Sequence, residues 1–450
     1  MTQNLSHVTL TIHALSEKGD GLADWQGKKI FVPQALPGEV VEAFLYGIKP
    51  KYAQASIQQI IKPHTSRIQP HCHYEKCGGC QIPHLAYDEQ LKIKQSIVKT
   101  ALEKRGIQAE VQPCLGMSEP LRFRNKAIFS VQFNQGEPQL GFYEKNSHQL
   151  IDIADCPVQH KDVSLIIHVV RQWMKDFSIQ AYDETNHSGW LRQILIRHGF
   201  STDESMLVFI SLSDDFPYQA ELLERLQSAA IQLDSIIQNI NSEPVNRILG
   251  ETNRIIQGKA FIDDHLHNMV FSISPHSFYQ VNPEQTDVLY ATALQFAELT
   301  GKETVFDVYC GIGTISLYLA SEAKSVVGIE VVPQAIDDAK ENAIRNGFKN
   351  VEFFVGKAEN VVPDLYREGY QADVVVVDPP RKGCDKAVLD TMIKMDPERI
   401  VYVSCDPDSL ARDLAYLGFE KYELAQVRPV DMFPHSMHVE TVVQLKKRKG

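Results

Sequence analysis

Three stretches in the last third of the chain carry residues suited to covalent chemistry at a carbon centre. Val401-Tyr402-Val403-Ser404-Cys405-Asp406-Pro407 ends an apolar, β-branched run on a cysteine. A second run, Asp373-Val374-Val375-Val376-Val377, ends 27 residues earlier in Asp378-Pro379-Pro380-Arg381. A third ends in Phe306-Asp307-Val308-Tyr309-Cys310-Gly311-Ile312-Gly313. A thiolate adds readily to an electron-poor carbon and leaves again. An acid held rigid by two prolines can grip a substrate. A glycine loop lets a ligand approach the backbone. Together the three ends suggest a nucleophile, a gripping acid and a cofactor loop on one rim of a parallel sheet.

Uracil is a substrate for which such a set would be required. Its C5 is a poor nucleophile until a thiolate adds to C6 and builds an enolate whose charge reaches C5. Once C5 has taken a methyl group, its proton must go to a base before the cysteine is eliminated. The chemistry needs a thiol, donors for the enolate and a carboxylate or histidine base. Cys405 is the candidate nucleophile. Glu440, in Met437-His438-Val439-Glu440-Thr441-Val442, is the candidate base, with His435 and His438 as rivals. Arg381 follows the prolines where enzymes that methylate exocyclic amines carry an aromatic residue, which argues against amine methylation. Read singly, Cys405 suits a buried strand end, Glu440 a surface position and Asp378 a helix cap; their company gives them chemical meaning.

The loop containing Gly311 and Gly313 departs from the dinucleotide pattern, because Ser316 stands at the third glycine position. Asp307 would repel a pyrophosphate, and no phosphate-loop lysine follows. Glu330 ends the next apolar run, where a carboxylate can accept from ribose hydroxyls. A ligand with a ribose, a cationic centre and no phosphate fits, which is S-adenosylmethionine. NAD and a ligand-free turn are the alternatives. Ser277-Phe278-Tyr279-Gln280-Val281-Asn282 leads into the first helix of this region. Phe278 is suited to stack on a base, and Gln280 to hydrogen-bond to base or cofactor.

The elements that must position these residues follow from rhythm. Apolar runs end near Asp307, Glu330, Val355, Asp378 and Cys405, in steps of 23, 25, 23 and 27 residues. That spacing accommodates one strand, one helix and two loops per unit, giving a parallel sheet with helices on both faces. Ligands of such sheets bind at the carboxyl ends of the strands. Upstream, Val8-Ile12, Lys29-Val32, Glu39-Tyr46 and Ala53-Ile61 predict a small β-barrel over residues 1–62. Residues 87–105 have helical spacing, with Lys92, Lys94, Lys99 and Lys104 among the apolar positions. Strand-like segments at 126–133, 191–198 and 205–211, and helices at 161–175 and 218–232, predict a central α/β region. The predicted fold is therefore α/β: an OB-like barrel (1–62), a central domain (63–82 and 116–271) and a catalytic domain with a Rossmann-like parallel core (83–115 and 272–450).

The 450 residues exceed one core, and 44% hydrophobic with 23% charged content is that of a globular protein. No apolar run reaches membrane-spanning length. Met1-Thr2-Gln3-Asn4 lacks the pattern of a signal peptide, so a cytoplasmic protein is expected, with no membrane partner and a monomer as the default. The net charge of −12 hides a local excess: residues 61–130 hold eleven Lys/Arg against six Asp/Glu, and Lys446-Lys447-Arg448-Lys449 is basic. Either a solvated face or a nucleic-acid groove accounts for this.

Cys72, Cys77 and Cys80 lie within nine residues, a spacing that suggests a metal site rather than disulfides. A closed site needs a fourth thiol, and Cys156, followed by Pro157, is a better candidate than Cys114. Zinc and [4Fe–4S] both remain open at this level. The spacing is not that of radical adenosylmethionine enzymes.

As a set these motifs resemble the RNA (uracil-5-)-methyltransferases, in particular the bacterial branch acting on large-subunit (23S) ribosomal RNA. The resemblance spans nearly the whole chain. It implies that residues 1–62, with Gly38-Glu39-Val40-Val41, form a TRAM domain that binds RNA. It implies a [4Fe–4S] cluster on Cys72, Cys77, Cys80 and Cys156. It also implies cofactor or substrate contacts at Gln280, Tyr309, Glu330 and Asp378, with Cys405 as nucleophile, Glu440 as base and Arg381 positioning Asp378 or the uracil edge. The product implied is 5-methyluridine at one or two ribosomal sites, with the target base flipped out of its stack. The TRAM domain and the basic face around Lys92–Lys126 would hold the phosphates. The tRNA branch generally lacks the barrel and the cysteines, which favours ribosomal RNA. The alternatives are a tRNA uracil-5 methyltransferase, an RNA cytosine-5 methyltransferase, which would carry its cysteine after a proline at the fourth strand, and a non-catalytic iron–sulfur RNA-binding protein.

Overall fold

A computed structural model describes residues 7–145, 147–244, 247–418 and 421–448. Met1–Asn4 and Lys449, which figure in the sequence reading, lie outside them. Among the described residues no helix is long and apolar enough to cross a membrane.

The last seven strands form one sheet. Its order runs Val351–Val355, Ser325–Glu330, Thr304–Val308, Val374–Val377, Arg399–Ser404, Glu440–Lys447 and Tyr422–Val430. The first five are parallel, and the last two join antiparallel. The β-branched runs form strands buried on both faces, as a parallel sheet between helices requires. Alternation divides them between two cores. Val305, Val374, Val376, Val401 and Val403 face one core, and Phe306, Val308, Val375, Val377, Ile400 and Tyr402 the other.

Three features support this sheet from outside its own sequence. Helix Tyr87–Lys104 buries Val98, Ala101 and Leu102 in the second core, alongside helix Pro407–Leu417. The seven-stranded sheet of the middle region has helices Asp162–Asp176 and Gln219–Ser228 on one face. Its opposite face, with Leu195, Met206, Val208, Ile210 and Ile237, joins the first core. The hairpin Ile262–Leu266/Met269–Ile273 fills the same junction.

The amino-terminal region is a six-stranded sheet from His7–Thr11 to Tyr52–Lys62, closed around Leu10, Ile30, Val32, Val41 and Leu45. Strand Gly21–Trp25 pairs with Lys28–Val32. Gly21 is needed there for close approach: an added Cβ would lie 2.8 Å from the Ala35 side chain.

Candidate active site

The carboxyl ends of the parallel strands share one rim. Because Glu440–Lys447 runs antiparallel to Arg399–Ser404, its first residue falls at the same rim. Thr441 is in register with Ser404, so Glu440 lies beside Cys405 across the strand pair. Tyr402 in turn is in register with Val377, one residue before Asp378. Three residues separated by up to 62 positions thus meet on three adjacent strands.

Their electrostatics are those of a shared site. Glu440 is 5% exposed. Burial, then the Asp378 charge, raises its carboxyl to about 8, and Arg381 opposes the rise. Burial, then Asp307, raises Asp378 to about 7. Burial, then Glu440 and Asp378, pushes the Cys405 thiol up to about 11, again against Arg381. Two buried carboxyls with raised pKa values beside a thiol are a signature of acid–base chemistry. Of the rival bases, His435 is buried, and both ring nitrogens are occupied: Nε2 contacts the Pro120 carbonyl at 2.9 Å and Nδ1 the Gln90 side chain at 3.3 Å. His438 lies 3.4 Å from the Arg381 guanidinium, and burial with that neighbouring cation lowers its pKa.

The glycine loop is tightly shaped. Tyr309 takes φ of +75°, and Tyr309 and Cys310 both donate from the backbone to the Ile329 carbonyl. Gly313 takes φ of +82° with Ala339 and Phe353 close behind it, while a Cβ on Gly311 would meet nothing within 4 Å. One side of the loop is therefore packed and the other open. Glu330 accepts backbone hydrogen bonds from Gly311, Val331 and Val332. Burial raises Asp307 to about 7; Ser316 donates to one of its oxygens, and the other has no partner among the described residues. An open backbone face, a ribose-height carboxylate and a neighbouring acid fit the cationic, phosphate-free cofactor inferred from sequence. The Tyr309 side chain turns toward Cys384 and Asp385.

Phe278 is 70% exposed at the tip of the loop before helix Pro283–Ala297. The middle region braces that loop. Arg197 donates to the carbonyls of Pro275 and Ser277, and Asn125 donates to that of Gln280. Asn282 caps the helix by accepting from Gln285.

One buried constellation is not evident from sequence. The Lys94 ammonium pairs with Asp431 and donates to the Phe433 carbonyl at 2.9 Å, and Tyr87 donates to Asp431 at 2.7 Å. Both ionic side chains are fully buried. Its one sign there is Lys94, three residues after Leu91 and four before Val98, on the apolar stripe of its helix. The pair fixes the segment that leads to His435, His438 and Glu440. Lys94→Ala leaves a buried carboxylate without its cation and is expected to cost about 3–5 kcal/mol in chemical denaturation, with Lys94→Met/Asp431→Leu recovering most of that loss.

This also corrects the expected basic face. Lys92, Lys99 and Lys104 pair with Glu89, Glu103 and Asp408, so the helix lysines are matched by carboxylates. Lys446 and Lys447 likewise pair with Glu298 and Asp396, at the end of strand Glu440–Lys447.

Cys72, Cys77, Cys80 and Cys156 line one groove, where burial and the neighbouring sulfurs raise the thiol pKa values of Cys77, Cys80 and Cys156. Burial and those three neighbours push Cys80 to about 12. Cys114 lies elsewhere, beside Asp431 and Lys94. Among the described residues, no three of the four sulfurs come within 4.8 Å of one another.

A family model described as tRNA (uracil-5-)-methyltransferase matches residues 86–448. An uncharacterized RNA methyltransferase of Halalkalibacterium halodurans is 46% identical over 98% of this chain and 96% of its own. One from Clostridium tetani is 44% identical over 97% and 96%. Among solved structures, the Pyrococcus abyssi tRNA (uracil-54, C5)-methyltransferase in complex with S-adenosyl-L-homocysteine superposes with a TM-score of 0.79 at 27% identity. It covers 97% of this chain and all of its own.

Proposed function

This chain belongs to the tRNA (uracil-5-)-methyltransferase family, and from that premise we propose that it forms 5-methyluridine in large-subunit ribosomal RNA through a covalent adduct of Cys405 with the base. It is an S-adenosylmethionine-dependent RNA methyltransferase. The observation that carries the mechanism is the meeting of Cys405, Asp378 and Glu440 on three adjacent strands.

S-adenosylmethionine, when bound, supplies an electrophilic methyl group; Glu330, Tyr309, the Gly311–Gly313 loop and Gln280 would hold it. The Cys405 thiol gives its proton to Asp378 as the sulfur adds to C6 of the uracil, which leaves Glu440 free. Asp378, whose carboxyl burial raises to about 7, then donates to a uracil oxygen, and Arg381 offsets the enolate charge. C5 is thereby made nucleophilic. After C5 has been methylated, Glu440 takes its remaining proton and the C6–sulfur bond breaks, which frees Cys405. Phe278, exposed beside the rim, offers a stacking face to a base taken out of its helix.

The motif resemblance to the bacterial branch supports ribosomal RNA. The tRNA reading has its own support: the archaeal tRNA enzyme covers 97% of the chain. Full-length architecture therefore does not by itself separate the two substrates, contrary to the sequence-based argument from the barrel and the cysteines. Mass spectrometry of RNA from cells lacking the protein, with enzyme and labelled cofactor added back, separates them. Loss and restoration of 5-methyluridine in ribosomal RNA supports the proposal; label entering only tRNA overturns it in favour of tRNA.

The four cysteines are proposed to hold a [4Fe–4S] cluster, with residues 7–62 as the RNA-binding TRAM domain. Protein purified without oxygen is expected to carry about four iron and four sulfide per chain, and Cys80→Ser to lose both. Stoichiometric zinc in the wild type would reject the cluster.

A further inference from the structure

With the lysines of helix Tyr87–Lys104 matched by carboxylates, the unmatched cations lie elsewhere. Arg124, in an isolated bridge to Gln159, stands two residues before Lys126, the first residue of strand Lys126–Asn134. Both line the groove that contains the four cysteines. Neither side chain has a hydrogen-bond or ion-pair partner among the described residues, and the Arg124 Nε is buried without one. Arg197 is directly opposite Lys126 on the neighbouring antiparallel strand. It is 3% exposed, it makes no ion pair among the described residues, and its Nε is also unpartnered. Like charges opposed across a strand pair are destabilising. Burial and the two arginines together lower Lys126 to about 8.

The three cations differ in what answers them. Arg124 lies beside the Cys80 and Cys156 thiols, whose charge favours its protonated form. Arg197 spends its guanidinium on the carbonyls of Pro275 and Ser277, and so braces the loop carrying Phe278 and Gln280. Lys126 has no such role: no carboxylate or thiolate offsets its charge. It is partly exposed, in the groove, between the cysteines and that loop. A half-buried ammonium between two guanidiniums is costly unless an anion completes the site.

We propose that Lys126 seats a phosphodiester of the RNA substrate, on the path between the cysteine groove and the loop that presents Phe278. Arg197 opposite adds to the positive field there and ties the seat to that loop. The backbone would thus be gripped next to the element that receives the flipped base, so that phosphate binding and base capture share one support. The inference deepens the proposed function and rests on RNA being the substrate.

The test is binding of a single-stranded 20-mer of uridylate between 25 and 200 mM KCl. This probe reads phosphate contacts whether or not it is methylated, so the inference and the proposed reaction fail separately. Lys126→Gln is expected to weaken binding about 3–10-fold and to lower the slope of log affinity against log salt by about 0.7, the value for one single-strand phosphate. Lys126→Arg should keep the wild-type slope, and Lys92→Gln, which removes a lysine matched by Glu89, should change neither. Because the substitution relieves repulsion with Arg197, the Tm of Lys126→Gln should equal or exceed that of wild type. An unchanged slope and affinity in Lys126→Gln would overturn the proposal. So would a lowered Tm with unchanged binding, or no binding of the probe by wild type at 25 mM KCl.

Discussion

Cys405→Ala will bind S-adenosylmethionine and RNA as wild type does, and will transfer methyl groups at least ~10⁴-fold more slowly. The size follows from the role: without the thiol there is no adduct at C6, and C5 stays unactivated, so the other groups have nothing to act on. Cofactor binding should survive, because the residues shaping that loop are on the strands ending at Val308 and Glu330, two and three places across the sheet from the nucleophile strand. Single-turnover transfer of labelled methyl, with cofactor affinity measured by calorimetry, checks both halves. Retained turnover would remove Cys405 from the mechanism. The thiol itself gives an independent reading. Its pKa near 11 arises from burial and two carboxylates. Alkylation of Cys405 in the free protein, followed on its peptide by mass spectrometry, should therefore keep rising about tenfold per pH unit well past pH 9.

Glu440→Gln will accumulate a covalent protein–RNA complex that survives denaturant. Glutamine can hydrogen-bond in the same place but cannot accept the C5 proton, so the methylated adduct forms and is not released. Turnover should fall by about 10²–10⁴-fold, the usual contribution of a positioned base. A shifted band on a denaturing gel, dependent on both RNA and cofactor and absent from Cys405→Ala, is the expected result; without it Glu440 is not the base. The stability of the same variant has a definite sign. The folded-state pKa of Glu440 is raised, to about 8. Its contribution is therefore fully present below the ordinary carboxyl pKa and is lost as pH rises toward 8. Glu440→Gln should melt above wild type at pH 9, with the gap closing below pH 5. A buried carboxylate that lowers stability where it is needed for activity is the usual trade at a catalytic site.

Much of this was legible in the residues themselves. Val374–Val377 and Arg399–Ser404 could hardly be anything but buried strands, and steps of similar length between strand ends imply a parallel sheet. The acid after the first and the thiol after the second were marked by their place at a strand end, which local sequence determines. Glu440 could be named as a base opening a run that returns to the sheet, but which strand it joins, and in what register, depends on a pairing of residues about forty positions apart. By sequence alone Lys94 belongs to a basic surface. One helix turn cannot reveal that Asp431, 337 residues later, comes back to meet it. Lys126 and Arg197 likewise became neighbours only through cross-strand register. The sequence by itself determined which side chains have chemical capacity and which segments are helix or strand, since both follow from residue type and short-range periodicity. Which charges are matched, which are left open for a ligand, and which three strand ends form one site were decided by tertiary structure, because burial and pairing are properties of segments distant in the chain.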